Sequence, residues 1–206
     1  MLSPLVEVLN NMRVILATSS KQRIDIFKKT PIKFEIKTSD FEENLDRNKY
    51  TFSEYVELTA LGKVQKVYEQ LKNDDKPPDL IIGLDTMICC DNYFFGKPKD
   101  KDDAIQIIRR LSSGSPHTCL TGVAIFYKGR YTKFCESTTI FMESLTDAEI
   151  LSYVESGESM GKAGAYAIQG LAGSFVKKID GDYNNVVGAP LCRITQELKK
   201  ILLNNE

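Results

Sequence analysis

The side chains best suited by type and spacing to do chemistry lie in residues 80–97, LIIGLDTMICCDNYFFGK. An apolar run, Leu80-Ile81-Ile82-Gly83-Leu84, meets an acid, Asp85, and then a hydroxyl, Thr86. A second apolar run at 87–90 continues the strand pattern, Asp91-Asn92 signals a turn, and Gly96-Lys97-Pro98 closes the unit. A carboxylate inside a buried β pattern costs free energy unless it is paired, hydrogen-bonded or bound to a metal. Asp85 is therefore either a strand-end acid making a local turn bond or a functional group, and these residues alone leave both readings standing.

Two other places offer groups for phosphate. Thr18-Ser19-Ser20 follows a compact β run at 13–17 and precedes an amphipathic segment with Ile24, Ile26 and Phe27. Helix capping accounts for such a turn. Anion binding is the sharper account, because a helix N-terminus offers free N–H groups and a positive dipole end, and Arg23 adds a guanidinium fork. The turn is not a Walker loop, since G-x-x-x-x-G-K-[ST] is absent. Lys63 falls beside the apolar stripe of a later helix, where it either snorkels at the core edge or reaches toward phosphate.

Other chemistries lack parts. His117 is the single histidine, so a His-based triad or multi-His metal site cannot be assembled and His117 reads as structural. Five cysteines show no metal-type C-x-x-C spacing and leave an odd one over; they read as small buried hydrophobes in a reducing compartment. The 27 basic and 28 acidic residues nearly cancel, so no basic footprint points to nucleic acid or an anionic membrane surface. No apolar run reaches transmembrane length, and Glu7 interrupts an N-terminus without a basic start; no secretory signal is expected, and a cytoplasmic protein is.

The elements that must position these groups follow from periodicity. A length of 206 residues fits one domain or two tightly joined lobes, with residues 1–12 a short helical extension and 13–206 a single domain. Residues 33–37 read as strand, and 38–51 as a polar loop with Asp40, Glu42, Glu43 and Asp46; most such acids are merely solvated. Ser53 is expected to cap a helix reaching Leu71, with Val56, Ala60, Val64, Val67 and Leu71 on its apolar face. Asp100 can cap another helix, and Thr146-Asp147-Ala148-Glu149 matches a capping box. Runs at 118–127 and 131–141 around Lys128-Gly129-Arg130 form an antiparallel hairpin. Residues 157–190 hold glycine at a density beyond what simple turns need, as for a backbone passing close to a ligand or another segment. Within and after that patch, 173–179 and 185–187 read as strands and 191–203 as a last helix. The hairpin argues against a purely parallel sheet; an α/β fold with a mixed sheet, flanking helices and two lobes around a cleft fits better.

Several patches together resemble a known family. They are Leu16-Ala17-Thr18-Ser19-Ser20 with Arg23, Gly83-Leu84-Asp85-Thr86, Gly96-Lys97-Pro98, Leu111-Ser112 with Thr121-Gly122-Val123, residues 162–170 (KAGAYAIQG), and Ile179-Asp180-Gly181-Asp182-Tyr183 with Val187-Gly188. The chain resembles the Maf-type nucleoside triphosphate pyrophosphatases, which are similar in fold to the inosine-triphosphate pyrophosphatases. The resemblance runs from Arg13 to the C-terminus, with KAGAYAIQG and the G-L-D-T and G-K-P pair as its specific parts.

The resemblance implies an elongated two-lobed fold around a central cleft, often dimeric. It also implies hydrolysis of a nucleoside triphosphate to the monophosphate and pyrophosphate with a divalent cation, Mg²⁺ or Mn²⁺. Asp85 matches the family's general base, Ser20 and Arg23 its phosphate-binding turn, and Lys63 and Lys97 its two cleft lysines. Glu43 matches an acid of the loop after the second strand, a metal ligand together with Asp85. Gln22, Thr86 and Gln169 match positions linked to base choice. Thr86 and Gln169 agree with members acting on dTTP and UTP, whereas Gln22 stands where those members carry Arg and Lys21 where a proline is usual. The expected substrates are dTTP and UTP, with modified pyrimidine nucleotides beside them. The alternatives are 7-methyl-GTP or another non-standard nucleotide, or a nucleotide-binding regulator of cell division with little turnover.

Overall fold

Val14–Ala17, four apolar residues in succession, form β1, buried at every position, as expected of a parallel strand covered on both faces. In the computed structural model, which describes residues 3–203, β1 pairs in parallel with β2, Glu35–Ile36, and with β3, Leu80–Cys90. The register sets Val14 opposite Leu80 and Ala17 opposite Gly83. Parallel pairing demands crossovers. Helix α2, Lys21–Lys28, and helix α3, Phe52–Leu71, supply them.

The α3 stripe reads through to the fold, since Val56, Ala60, Val64 and Val67 are fully buried. Its start differs from expectation. Thr51, not Ser53, is the N-cap, because Thr51 and Glu54 form a reciprocal capping box that Ser53 has no partner to make. Val64 and Val67 join Ile15, Ile81, Ala124 and Phe126 in one apolar cluster. The stretch before Arg13 contributes helix α1, Ser3–Asn10, whose Leu5 and Leu9 are buried and which packs on the last helix, α7, Leu191–Leu203.

The described residues fall into two compact units. One comprises the described residues up to Asp85, Thr121–Glu136 and those from Gly188 onward; the other comprises Thr86–Leu120 and Ser137–Val187. In the second, β4, Tyr93–Phe95, folds back antiparallel on β3 through a turn in which Asp91 and Asn92 both have positive φ. Asp100 caps α4, Lys101–Leu111, and the Thr146–Glu149 capping box starts α5, Asp147–Glu155. Strands β5, His117–Tyr127, and β6, Arg130–Met142, meet at Lys128 and Gly129, and both strands contribute residues to both units. Strand β7, Val176–Asp180, pairs antiparallel with β6. The sheet is thus mixed and seven-stranded, in the order β2-β1-β3-β5-β6-β7 with β4 on β3, and helices flank it. This is the expected α/β class.

Two strand expectations are corrected. Residues 171–174 make a 3₁₀ turn, so the strand begins at Val176 rather than at 173. Residues 185–187 belong to helix α6, Tyr183–Val187. Asp182 Oδ1 accepts from the Asn184 amide at 2.8 Å, and the buried Asn185 donates through Nδ2 to the Cys119 carbonyl and to Thr138 Oγ1. A stretch of three residues with two valines does not distinguish helix from strand, and side-chain hydrogen bonds to distant strands made the choice.

His117 is structural. Its Nε2 shares a 2.9 Å hydrogen bond with the Tyr166 hydroxyl, both side chains are buried, and burial pushes the imidazole pKa down to about 4, against a weaker upward pull from the Leu111 backbone. All five cysteines are free thiols. Among the described residues no helix is long and apolar enough to cross a membrane.

Candidate active site

The first unit gathers six of the sequence-derived site residues at the C-terminal end of the parallel pair β1–β3. Ala17 is the last residue of β1, and its partner Gly83 precedes Asp85 by two positions on β3. The Ser20 turn and Asp85 therefore lie at the same end of the parallel pairing, beyond the last residue of β1, while β3 itself runs on to Cys90; that is the end from which ligands are approached in open α/β sheets.

Glycines let the charged groups converge. Gly83 faces α3, and a Cβ there would lie 2.5 Å from Val64 Cγ2 and 2.9 Å from the Ala60 carbonyl. Asp85 shares that face by strand alternation. The close approach of β3 to α3 brings Lys63 Nζ to 2.7 Å from Asp85 Oδ1. One residue before Lys63, Gly62 presents only hydrogen to Phe41, whose ring carbons would lie 2.4 Å from a Cβ. That contact draws the acidic loop onto α3, and Glu43 Oε1 reaches the same Nζ at 2.8 Å. Lys63 and Asp85 side chains keep 14% and 13% of their exposure while Glu43 keeps 54%, so the pair is sheltered and the third member borders solvent. Lys63 thus does not snorkel alone, and Glu43 is not a merely solvated acid.

Ser20 is the N-cap of α2. Its Oγ accepts from the Arg23 amide at 3.5 Å and donates to Gln22 Oε1 at 3.1 Å. The Arg23 side chain does something its position in the sequence gives no sign of. Nε donates to the Gly188 carbonyl at 2.9 Å and Nη1 to the Leu84 carbonyl at 3.0 Å. One guanidinium thereby ties α2 to the peptide unit just before Asp85 and to the segment leading into α7. Sequence spacing could not reveal this, since the partners lie 61 and 165 residues away.

Thr86, Lys97 and Gln169 belong to the second unit. Lys97 is exposed beside Gly96, whose carbonyl accepts from the Gly164 amide at 2.9 Å, so the G-K-P turn is tied to the KAGAY segment. Gln169 is exposed in the turn that follows that segment.

The donor set can be weighed against a cation. Asp85 and Glu43 both touch one ammonium and so hold oxygens close together. Among the described residues no group of three or more His, Cys, Asp or Glu is placed to hold a metal. Two carboxylates without a protein cage suit Mg²⁺, which commonly takes one or two carboxylates and completes its shell with water and substrate phosphates.

A family model described as Maf-like protein matches residues 13–201. The chain is similar to the dTTP/UTP pyrophosphatase of Geobacillus sp. (strain WCH70), 40% identical over 189 residues that span 92% of this chain and 98% of that protein. It is likewise similar to the dTTP/UTP pyrophosphatase of Geobacter metallireducens, 38% identical over 191 residues, 92% of this chain and 96% of that one. A solved structure, the Staphylococcus aureus Ham1 protein, aligns with a TM-score of 0.42 at 11% identity over 64% of this chain and 72% of that chain, a likeness too slight to carry an argument. On the family match over nearly its whole length, this chain belongs to the Maf-like protein family.

Proposed function

We propose that the chain is a nucleoside triphosphate pyrophosphatase that hydrolyses dTTP and UTP to the monophosphate and pyrophosphate. The observation that carries the reading is the Lys63 ammonium held between Asp85 and Glu43 where the β1–β3 pairing ends. The relatives named dTTP/UTP pyrophosphatase support the same substrates.

In this mechanism Lys63 fixes Asp85 through Oδ1, leaving Oδ2 to take a proton from water. The water oxygen bonds to the α-phosphorus, the bond between that phosphorus and the α–β bridging oxygen breaks, and pyrophosphate leaves with the electron pair. In the first unit Ser20 and the N-terminal amides of α2 bind phosphate oxygens; in the second, the exposed Lys97 ammonium suits the same charge. Arg23 holds the Leu84 peptide and hence the strand that carries Asp85. Asp85 and Glu43 would hold Mg²⁺ or Mn²⁺, which when bound neutralises phosphate charge and acidifies a coordinated water. Base choice falls to Thr86 and Gln169 in the second unit and, in the first, to Gln22. No side-chain nucleophile enters, consistent with a single buried histidine. A cytoplasmic setting and a homodimer are part of the same proposal, and five free thiols support the first.

The test is pyrophosphate release from dTTP, UTP, CTP, 7-methyl-GTP and ITP with Mg²⁺ or Mn²⁺. The expected result is a preference for dTTP and UTP; a preference for a purine nucleotide overturns the substrate assignment, and no release from any of them overturns the activity.

A further inference from the structure

The turn that carries Gln169 is held by two side chains, Tyr153 and Glu158. Gln169 is exposed, and the Gly170 amide closes the turn on the Ala167 carbonyl at 2.9 Å. On the near side, the Ala167 amide donates to the Tyr153 hydroxyl at 3.2 Å. On the far side, the Leu171 amide donates to Glu158 Oε2 at 3.0 Å and the Ala172 amide to Glu158 Oε1 at 3.2 Å. Tyr153 and Glu158 are themselves joined, the phenol donating to Oε1 at 3.0 Å. The phenol is buried, packs edge-on against Phe175 with ring centroids 5.1 Å apart, and is held protonated by that burial. One carboxylate thus accepts three hydrogen bonds, and charge-assisted bonds of this kind are stronger than neutral ones. Gly170 completes the fit, since a Cβ there would lie 2.0 Å from Glu158 Oε2 and expel the carboxylate from its place.

We infer that Glu158, through Tyr153 and the amides of residues 167–172, is a positioning residue for base selection. It sets the place from which the Gln169 side chain meets the nucleobase. The inference rests on the reading of Gln169 as a base-choosing residue. A specificity group needs its supporting hydrogen bonds as much as its own amide, because a displacement of about 1 Å can cost roughly 100-fold in rate. Neither Glu158 nor Tyr153 need touch the nucleotide for this.

Glu158→Gln keeps the side chain's size but turns an amide NH₂ toward backbone N–H donors. Tyr153→Phe keeps the ring in the core and removes only the hydroxyl, so it tests the same link if the first variant folds poorly. Each full-length variant is compared with wild type and with Gln169→Ala by hydrogen–deuterium exchange of residues 167–172 and by kcat/KM for dTTP and dGTP. Expected are faster exchange in that segment and a dTTP/dGTP ratio lowered by roughly tenfold through KM. The double variant Glu158→Gln/Gln169→Ala should show a ratio no lower than Gln169→Ala alone. Simple loss of stability lowers both rates together and leaves the ratio unchanged; that result overturns the inference, as does unchanged exchange. If Gln169→Ala relaxes the preference and Glu158→Gln and Tyr153→Phe do not, the positioning role falls alone. If Gln169→Ala leaves the preference intact, the reading of Gln169 falls and takes the positioning role with it.

Discussion

Lys63 Nζ donates to Asp85 Oδ1 across 2.7 Å, joining a helix side chain to a strand side chain 22 residues on. The same ammonium holds Glu43. An acid that seemed misplaced in an apolar strand is therefore paired, which removes the cost of its partial burial. It is also fixed in one orientation, which a base that must meet one proton of one water requires.

Asp85→Asn keeps the shape and removes the charge. The expected outcome is a fall in kcat of roughly 100-fold to 10,000-fold, the usual contribution of a positioned general base. Nucleotide binding, measured by calorimetry with a non-hydrolysable dTTP analogue, should be largely kept. Turnover near the wild-type rate in the presence of Mg²⁺ would remove Asp85 from the role of base.

Gly83→Ala sets a Cβ 2.5 Å from Val64 Cγ2 and 2.9 Å from the Ala60 carbonyl. The backbone carbonyl cannot rotate away, so β3 must retreat from α3. Overpacking of this kind costs about 1–3 kcal/mol, read from urea unfolding. The same retreat lengthens the Lys63–Asp85 contact, so kcat should fall in protein that is still folded at the assay temperature.

Arg23→Lys tests whether this side chain serves charge or shape. An ammonium can reach one carbonyl but cannot span those of Gly188 and Leu84 as the guanidinium fork does. Loss of one such bond is expected to lower stability by about 1–3 kcal/mol. Because the Leu84 peptide adjoins Asp85, kcat should drop along with any change in KM. A variant whose KM rises while stability and kcat stay as in wild type would leave Arg23 acting on phosphate alone.

His117 makes stability depend on acid. Its folded pKa of about 4 lies below the ordinary value of 6.5, with burial as the main cause. Between these values the unfolded chain binds the proton and the folded chain does not. Stability is therefore fully present above about pH 6.5 and is lost as pH falls toward 4, by about 3 kcal/mol in all. Urea unfolding at pH 7 and pH 5 reads the slope, and His117→Gln should flatten it while lowering stability at pH 7. An unchanged slope in that variant would assign the acid sensitivity to other groups.

Much of this protein was fixed by local pattern. The α3 stripe, the Asp100 and Thr146 caps, the hairpin turn at Lys128-Gly129 and the mixed α/β class follow from side-chain periodicity and turn chemistry, which act over a few residues. The family, too, was legible in short motifs such as KAGAYAIQG and G-L-D-T. Tertiary structure decided what depends on distant partners. Helix α6 formed where residues 185–187 read as strand, because Asn185 found Cys119 and Thr138. Arg23 found carbonyls 61 and 165 residues away, and Glu158 found amides across a turn. Lys63, by sequence a helix-edge lysine that either snorkels or reaches toward phosphate, became the centre of a charged triad because two glycines let a strand and a loop close on it. Hydrogen bonds and close packing act through space, so the sequence determined which groups were present, and only the fold determined which of them meet.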